Sequence, residues 1–197
     1  MLAFLAANPW TTAAGAAILL AALAGLVYAL VRRPGDPGFL RRGGVELRWD
    51  RAFLPLDLFV SPDLPGEVYP ALESARAELN DAVGREALSP PLDWRLDREP
   101  VGATAALVYV RPRDPGLGAG GTTEHRYDLR TGRILSATVS IAPGTPLLER
   151  VVLHELGHAL GLDDDGERGS VMFPVASEQR SGRLSARDRA ALRRVYG

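Results

Sequence analysis

A chain of 197 residues is long enough for one domain and a short appendage. Its composition, 46% hydrophobic and 24% charged, suits a folded protein and argues against a disordered one. Acidic and basic side chains nearly cancel, 24 against 23, so no net positive field exists to hold nucleic acid, and the lack of cysteine excludes disulfide scaffolds, thiol catalysis and thiolate metal ligands.

Residues 1–33 read as a separate object. No charged side chain occurs before Arg32, and Thr11 to Val31 is one apolar stretch of 21 residues. As a helix it would be about 30 Å long, the thickness of one hydrocarbon core. Trp10 and Tyr28 stand near its ends, where interfacial aromatics gather. Ala22-Leu23-Ala24 has the form of a signal-peptide cleavage site, but a basic n-region is missing and the apolar run continues beyond it. The expectation is an uncleaved, single-pass transmembrane helix. Arg32, Arg33, Arg41 and Arg42 all follow the span, so the positive-inside rule puts the following domain in the cytoplasm. Residues 34–43, which include Pro34-Gly35-Asp36-Pro37-Gly38, read as a linker.

Residues 44–197 read as one α/β (α+β) domain. Val45 to Asp50 and Leu54 to Val60 have the composition of short strands. A helix is predicted from Glu67 to Val83, because Val68, Leu72, Ala75, Leu79 and Val83 recur at helical spacing. Pro70 falls in its first turn, and Gly84 closes it. Strands are predicted over Leu92 to Leu96 and Ala103 to Val110. Pro115 to Gly121 lacks the Gly-Lys-Ser/Thr ending of a phosphate cradle and reads as a surface loop. Thr122 to Leu129 and Ile134 to Ile141 should form a hairpin around residues 130–133. In its second arm Leu135, Ala137, Val139 and Ile141 alternate with Ser136, Thr138 and Ser140, predicting one buried and one wet face.

The chemistry lies between Thr145 and Pro174. Thr145 suits an N-cap, Pro146 a first helical position and Glu149 the positive end of the helix dipole; Gly161 suits the stop. The helix between them carries His154-Glu155-Leu156-Gly157-His158. Histidines four apart project from one face, one turn from each other, as two corners of a zinc tetrahedron require. Glu155 lies about 100° round the helix, close enough to act on water without ligating the metal. Val152, Leu156, Ala159 and Leu160 supply the core side. Gly161 permits a sharp turn that can bring Asp164 back as a third, carboxylate ligand. Asp163 and Asp165 flank it, so the ligand could lie one residue either way. His125 is the remaining histidine; between Glu124 and Arg126 it reads as a surface residue. Ser170-Val171-Met172-Phe173-Pro174 is a tight turn with a methionine in it. A last helix should begin near Ser185, with Asp188 completing a capping box and Leu192 and Val195 facing inward.

The run from His154 to Asp164, with Met172 after it, resembles the metzincin zinc peptidases, whose signature is H-E-x-x-H-x-x-G-x-x-H followed by a Met-turn. Within them it is most similar to the matrixins, because Ser-Val-Met-Phe-Pro resembles their Met-turn and lacks the tyrosine of astacin-like enzymes. Asp164 stands where most of the family has a third histidine, as in the snapalysin-like branch. The resemblance covers most of Val45 to Gly197. It implies a mixed twisted sheet with three helices. It also implies one catalytic zinc ion held by His154, His158 and Asp164, with Glu155 as general base and Met172 as a hydrophobic floor that is not a ligand. Pro174, Val175 and Ala176 would line the pocket for the residue after the cut. No cysteine-switch latency is possible, and the loop that carries structural zinc and calcium in vertebrate matrixins is shortened.

The expected function is that of a membrane-anchored zinc endopeptidase, a monomer acting on peptide or protein substrates and bound to the membrane through its N-terminal helix. The alternative is a catalytically silent zinc-binding or adaptor domain that kept the fold. Glu155 argues against it, since binding alone has no need of a base.

Overall fold

The structure is a computed structural model; it describes residues 38–94, 107–112, 120–142, 144–167, 169–173 and 182–197. The chain divides into two units, Met1–Asp36 and Pro37–Gly197, and the described residues belong to the second. The predicted anchor over residues 11–31 therefore lies outside them. Among the described residues no helix is long and apolar enough to cross a membrane.

Seven strands and three α-helices make up the described domain. A small hairpin, β1 (Arg41–Arg42) with β2 (Val45–Glu46), precedes a 3₁₀ turn at Arg51–Phe53 that is capped by the Asp50 side chain. The main sheet contains β3 (Asp57–Val60), β4 (Leu92–Asp93), β5 (Leu107–Pro112), β6 (Gly121–Tyr127) and β7 (Ile134–Ile141), in the spatial order β4-β3-β5-β7-β6. The first four in that order are mutually parallel; β6 is antiparallel to β7 and forms one edge. The helices are α1 (Val68–Val83), α2 (Leu148–Ala159) and α3 (Ala186–Tyr196), with α1 packed against both others. This is the expected mixed α/β architecture.

Periodicity explains α1 well. All five residues of its predicted apolar stripe are buried, and Gly84, at φ 84°, ends the helix in the left-handed region. For α3, the Ser185 side chain accepts from the Asp188 amide while the Asp188 carboxylate accepts from the Ser185 amide, a complete capping box. Leu192 and Val195 are buried as expected.

Several expectations fail for identifiable reasons. Helix α2 starts at Leu148, three residues after the predicted cap. Thr145 makes no cap; Leu147 holds that place with a positive φ of 59° and no capping side chain. The strand expected over residues 45–50 stops at Glu46: beyond it burial still alternates, with Leu47 and Trp49 in the core and Arg48 and Asp50 exposed, but only an isolated bridge from Arg48 to Arg133 continues the pairing. Along β7 the wet face is missing: Ser136 and Ser140 are buried and Leu135 is 38% exposed. β7 lies between β5 and β6, so both of its edges are paired, and the buried Ser140 Oγ is satisfied by accepting from Arg111 Nε at 3.1 Å. Ordered structure also begins earlier than Gly44. Phe39 is buried and bridges to Leu162, and β1 lies within the segment read as linker.

Candidate metal centre

Helix α2 carries the two histidines on one turn-to-turn stripe. Gly161, at φ 96°, ends it: Leu162 N–H donates to Gly157 O at 3.0 Å and Gly161 N–H to His158 O at 2.7 Å, the paired bonds of a Schellman turn. The chain then reverses, and the next three residues are pinned from both sides. Asp163 N–H donates to Gly38 O at 2.7 Å, and Asp165 N–H to Met172 O at 2.8 Å. Asp164, between them, is held facing the histidines.

Three donor atoms converge there. His154 Nε2 and His158 Nε2 are 3.1 Å apart, and Asp164 Oδ1 lies 3.8 Å from the first and 3.4 Å from the second. A tetrahedral ion with bonds of about 2.0–2.1 Å needs its donors about 3.3–3.4 Å apart, so the triangle fits zinc. Each ring is oriented through its other nitrogen. His154 Nδ1 donates to Val171 O at 2.9 Å and His158 Nδ1 to Leu162 O at 2.8 Å, which leaves both Nε2 lone pairs facing the common point. Among the described residues these three form the one group of His, Cys, Asp or Glu side chains able to hold a metal. The neighbouring aspartates are turned elsewhere. Asp163 Oδ1 accepts from the Asp164 amide, while Asp165 is buried, accepts from the Glu167 amide and lies 3.4 Å from Arg187.

The two rings differ electrostatically. Burial, followed by the charge of His158, pushes the His154 pKa down to about 4. His158 is buried too, which opposes its charged form. Its bonds to Asp164 and the Leu162 carbonyl, and the Glu155 charge, outweigh that burial and raise its pKa. The Asp164 carboxylate beside the two rings thus favours positive charge at their meeting point.

Glu155 is buried against β6, not solvent-facing. Thr123 Oγ1 lies 2.7 Å from its Oε2 and 3.0 Å from its backbone oxygen, so the strand fixes both the carboxylate and its turn of helix. Met172 is fully buried beneath α2; a Cβ on Gly157 would stand 2.6 Å from its sulfur. That contact explains glycine between the two histidines. Pro174, Val175 and Ala176 lie outside the described residues.

His125 is not a surface residue. It is partly buried, and Nε2 donates to His158 O at 2.8 Å; burial drives its pKa down to about 4, so the ring is neutral. It stands behind the ligand helix and outside the ligand triangle. Three side chains that the sequence did not single out act here. Trp49 Nε1 donates to Ala159 O at 2.8 Å and Tyr196 Oη to Leu160 O at 2.6 Å, so with His125 the last carbonyls of α2 are capped from three different elements. Arg150, four residues before His154 on the same stripe, is buried with Nη2 donating to Phe173 O at 3.3 Å. Its spacing was readable in the sequence; the contacts of Trp49 and Tyr196, more than 30 residues away along the chain, were not.

Two histidines and a carboxylate converge on one point, beside a buried glutamate on the same helix, an arrangement able to hold a metal ion. The Matrixin family model matches residues 75–197, and the chain belongs to that family: it is a zinc metalloendopeptidase. Among solved structures it is similar to high choriolytic enzyme 1, a hatching-enzyme zinc protease from Oryzias latipes (medaka fish), at 13% identity and a TM-score of 0.45, covering 84% of this chain and 96% of that one. No curated protein sequence matches it.

Proposed function

We propose that this protein is a membrane-anchored endopeptidase in which His154, His158 and Asp164 hold one zinc ion and Glu155 is the general base. The donor triangle, with edges of 3.1 to 3.8 Å and both rings oriented by backbone carbonyls, carries the reading. When bound, zinc supplies a Lewis acid and lowers the pKa of water to about 7. The Glu155 carboxylate accepts a proton from the attacking water and returns it to the leaving amine. General acid–base action of this kind contributes roughly 10²- to 10⁴-fold. Thr123 keeps the carboxylate in place through its hydroxyl. The edge strand β6 leaves one row of backbone groups for an extended peptide to pair with, directly over α2. The anchor rests on the 21-residue apolar stretch, and the arginines that follow it support a cytoplasmic catalytic domain.

Glu155→Ala separates the enzyme from a silent zinc-binding module. We expect about one zinc per chain in both forms and at least a 10²-fold loss of peptide hydrolysis in the variant. Cleavage that survives in the variant removes Glu155 from the mechanism. Zinc bound by the parent protein with no cleavage of any peptide in a mixed library favours the adaptor.

A further inference from the structure

We propose that an arginine-lined cavity on the described domain, remote in sequence from the metal ligands, binds the phosphate headgroups of an anionic membrane. The proposal rests on the membrane-anchored reading above. The cavity holds about 570 Å³ and is bounded by Arg48, Arg51, Arg130 and Arg133, with Asp50 and Asp128 as its carboxylates. Four arginines against two aspartates leave the cavity a formal net charge of +2. Asp50 Oδ1 accepts from the Ala52 amide at 3.0 Å, and Asp128 Oδ1 accepts from the amides of Arg130 and Thr131 at 2.8 and 3.0 Å. Arg51 is fixed by the end of α3, donating to the Val195 and Arg194 carbonyls. Arg48, Arg130 and Arg133 are exposed and make no ion pair among the described residues. A pocket with this unspent positive charge suits a phosphate, which arginine can engage with two parallel bonds.

Two further observations select a bilayer over a free anion. Leu129, at the tip of the β6–β7 turn between Asp128 and Arg130, is 78% exposed. An apolar side chain amid arginines is the composition of a surface that enters the headgroup layer. The cavity also lies near the point where the chain enters the domain. The Phe39 ring is 5.9 Å from that of Tyr196, whose hydroxyl accepts from the amide of Trp49, itself part of the cavity wall. In the sequence, residues 32–37 are all that separate the apolar stretch from Gly38.

The chain has no cysteine, so Leu129→Cys gives a unique attachment point for an environment-sensitive fluorophore. The labelled full chain would be assembled into nanodiscs of phosphatidylcholine, with and without phosphatidylglycerol. We expect increased, blue-shifted emission in the anionic discs only, reversed by high salt. Arg130→Gln and Arg133→Gln should each lower the docked fraction's equilibrium about five-fold, and the triple variant with Arg48→Gln should abolish the response. Equal emission in both discs, or a response that survives in the triple variant, overturns the proposal. A response to inorganic phosphate in neutral discs also overturns the membrane assignment, in favour of a free anion. A chain that fails to enter discs at all counts against the anchor reading alone, and the same label read against anionic vesicles then still decides the docking.

Discussion

Asp164 shows how a single residue is selected from three equivalent neighbours. Asp163, Asp164 and Asp165 are chemically alike, yet only Asp164 has its carboxylate within 4 Å of both histidine Nε2 atoms. Asp164→Ala should therefore lower zinc affinity at least ten-fold, since it removes a ligand outright. Asp165→Ala should leave affinity within a few-fold while lowering stability by about 1–3 kcal/mol, because it strips a buried acceptor from the Glu167 amide. Competition titrations with a chromogenic chelator distinguish the two; equal losses would mean the ligand is misassigned. Gly157 makes a second residue-level case. Gly157→Ala forces its new methyl onto the Met172 sulfur, and overpacking of this kind costs about 1–3 kcal/mol. Combined with Met172→Ala the penalty should fall well short of the sum of the two single changes, a coupling that a double-mutant cycle in urea measures directly.

At the scale of elements, the ligand helix is held at its C-terminal end by partners from other elements. Its N-terminus enters from a left-handed leucine, and its last carbonyls are met by His125 from β6, Trp49 beyond β2 and Tyr196 from α3. The four-residue histidine spacing and the glycine-stop rule made the existence of this helix, its histidine face and its Gly161 end legible. Its start was not, because Leu147 adopts a left-handed conformation that its residue type disfavours. His125 gives this scale a pH test. Its pKa falls from 6.5 to about 4 on folding, so the unfolded chain takes up the proton first as pH drops. The stability it contributes is present above pH 6.5 and is lost progressively down to about pH 4, about 3 kcal/mol in all. His154 acts with the same sign. In metal-free protein, His125→Gln should flatten the fall in urea midpoint between pH 7 and 5; an unchanged slope would exclude burial of this ring as its cause.

For the whole molecule, the ligand set ties remote parts of the chain into one unit. Gly38 and Leu40 pair with the segment just after α2, at Asp163 and Gly161, and the Met-turn is tied to α3 through Ser170 Oγ, 2.6 Å from Asp188 Oδ2. Zinc bound only by this folded arrangement should stabilise all of it together. At a free concentration a hundred times its dissociation constant, the gain is about 2.7 kcal/mol, and a chelator should lower the melting temperature by several degrees in one cooperative transition. A melting curve indifferent to chelator would mean that the folded chain holds no metal. A fragment starting at Gly44 would lack Phe39 and both pairings to the ligand loop, so assays of an isolated domain belong on one that begins before Gly38.

By itself the sequence determined the donor types and their order. The four-residue histidine spacing, the intervening glutamate, the glycine turn and the methionine turn are all local features, governed by helical geometry and backbone freedom over a few residues. The capping box of α3 and the stripe of α1 were legible for the same reason. Tertiary structure alone decided which aspartate faces the histidines, that Glu155 is buried and held by Thr123, and that His125 supports the ligand helix from behind. Each of these depends on contacts between residues distant along the chain, such as Gly38 with Asp163 or His125 with His158. Periodicity cannot see such contacts, because they arise only when strands and helices have packed and every buried polar group has had to find its partner.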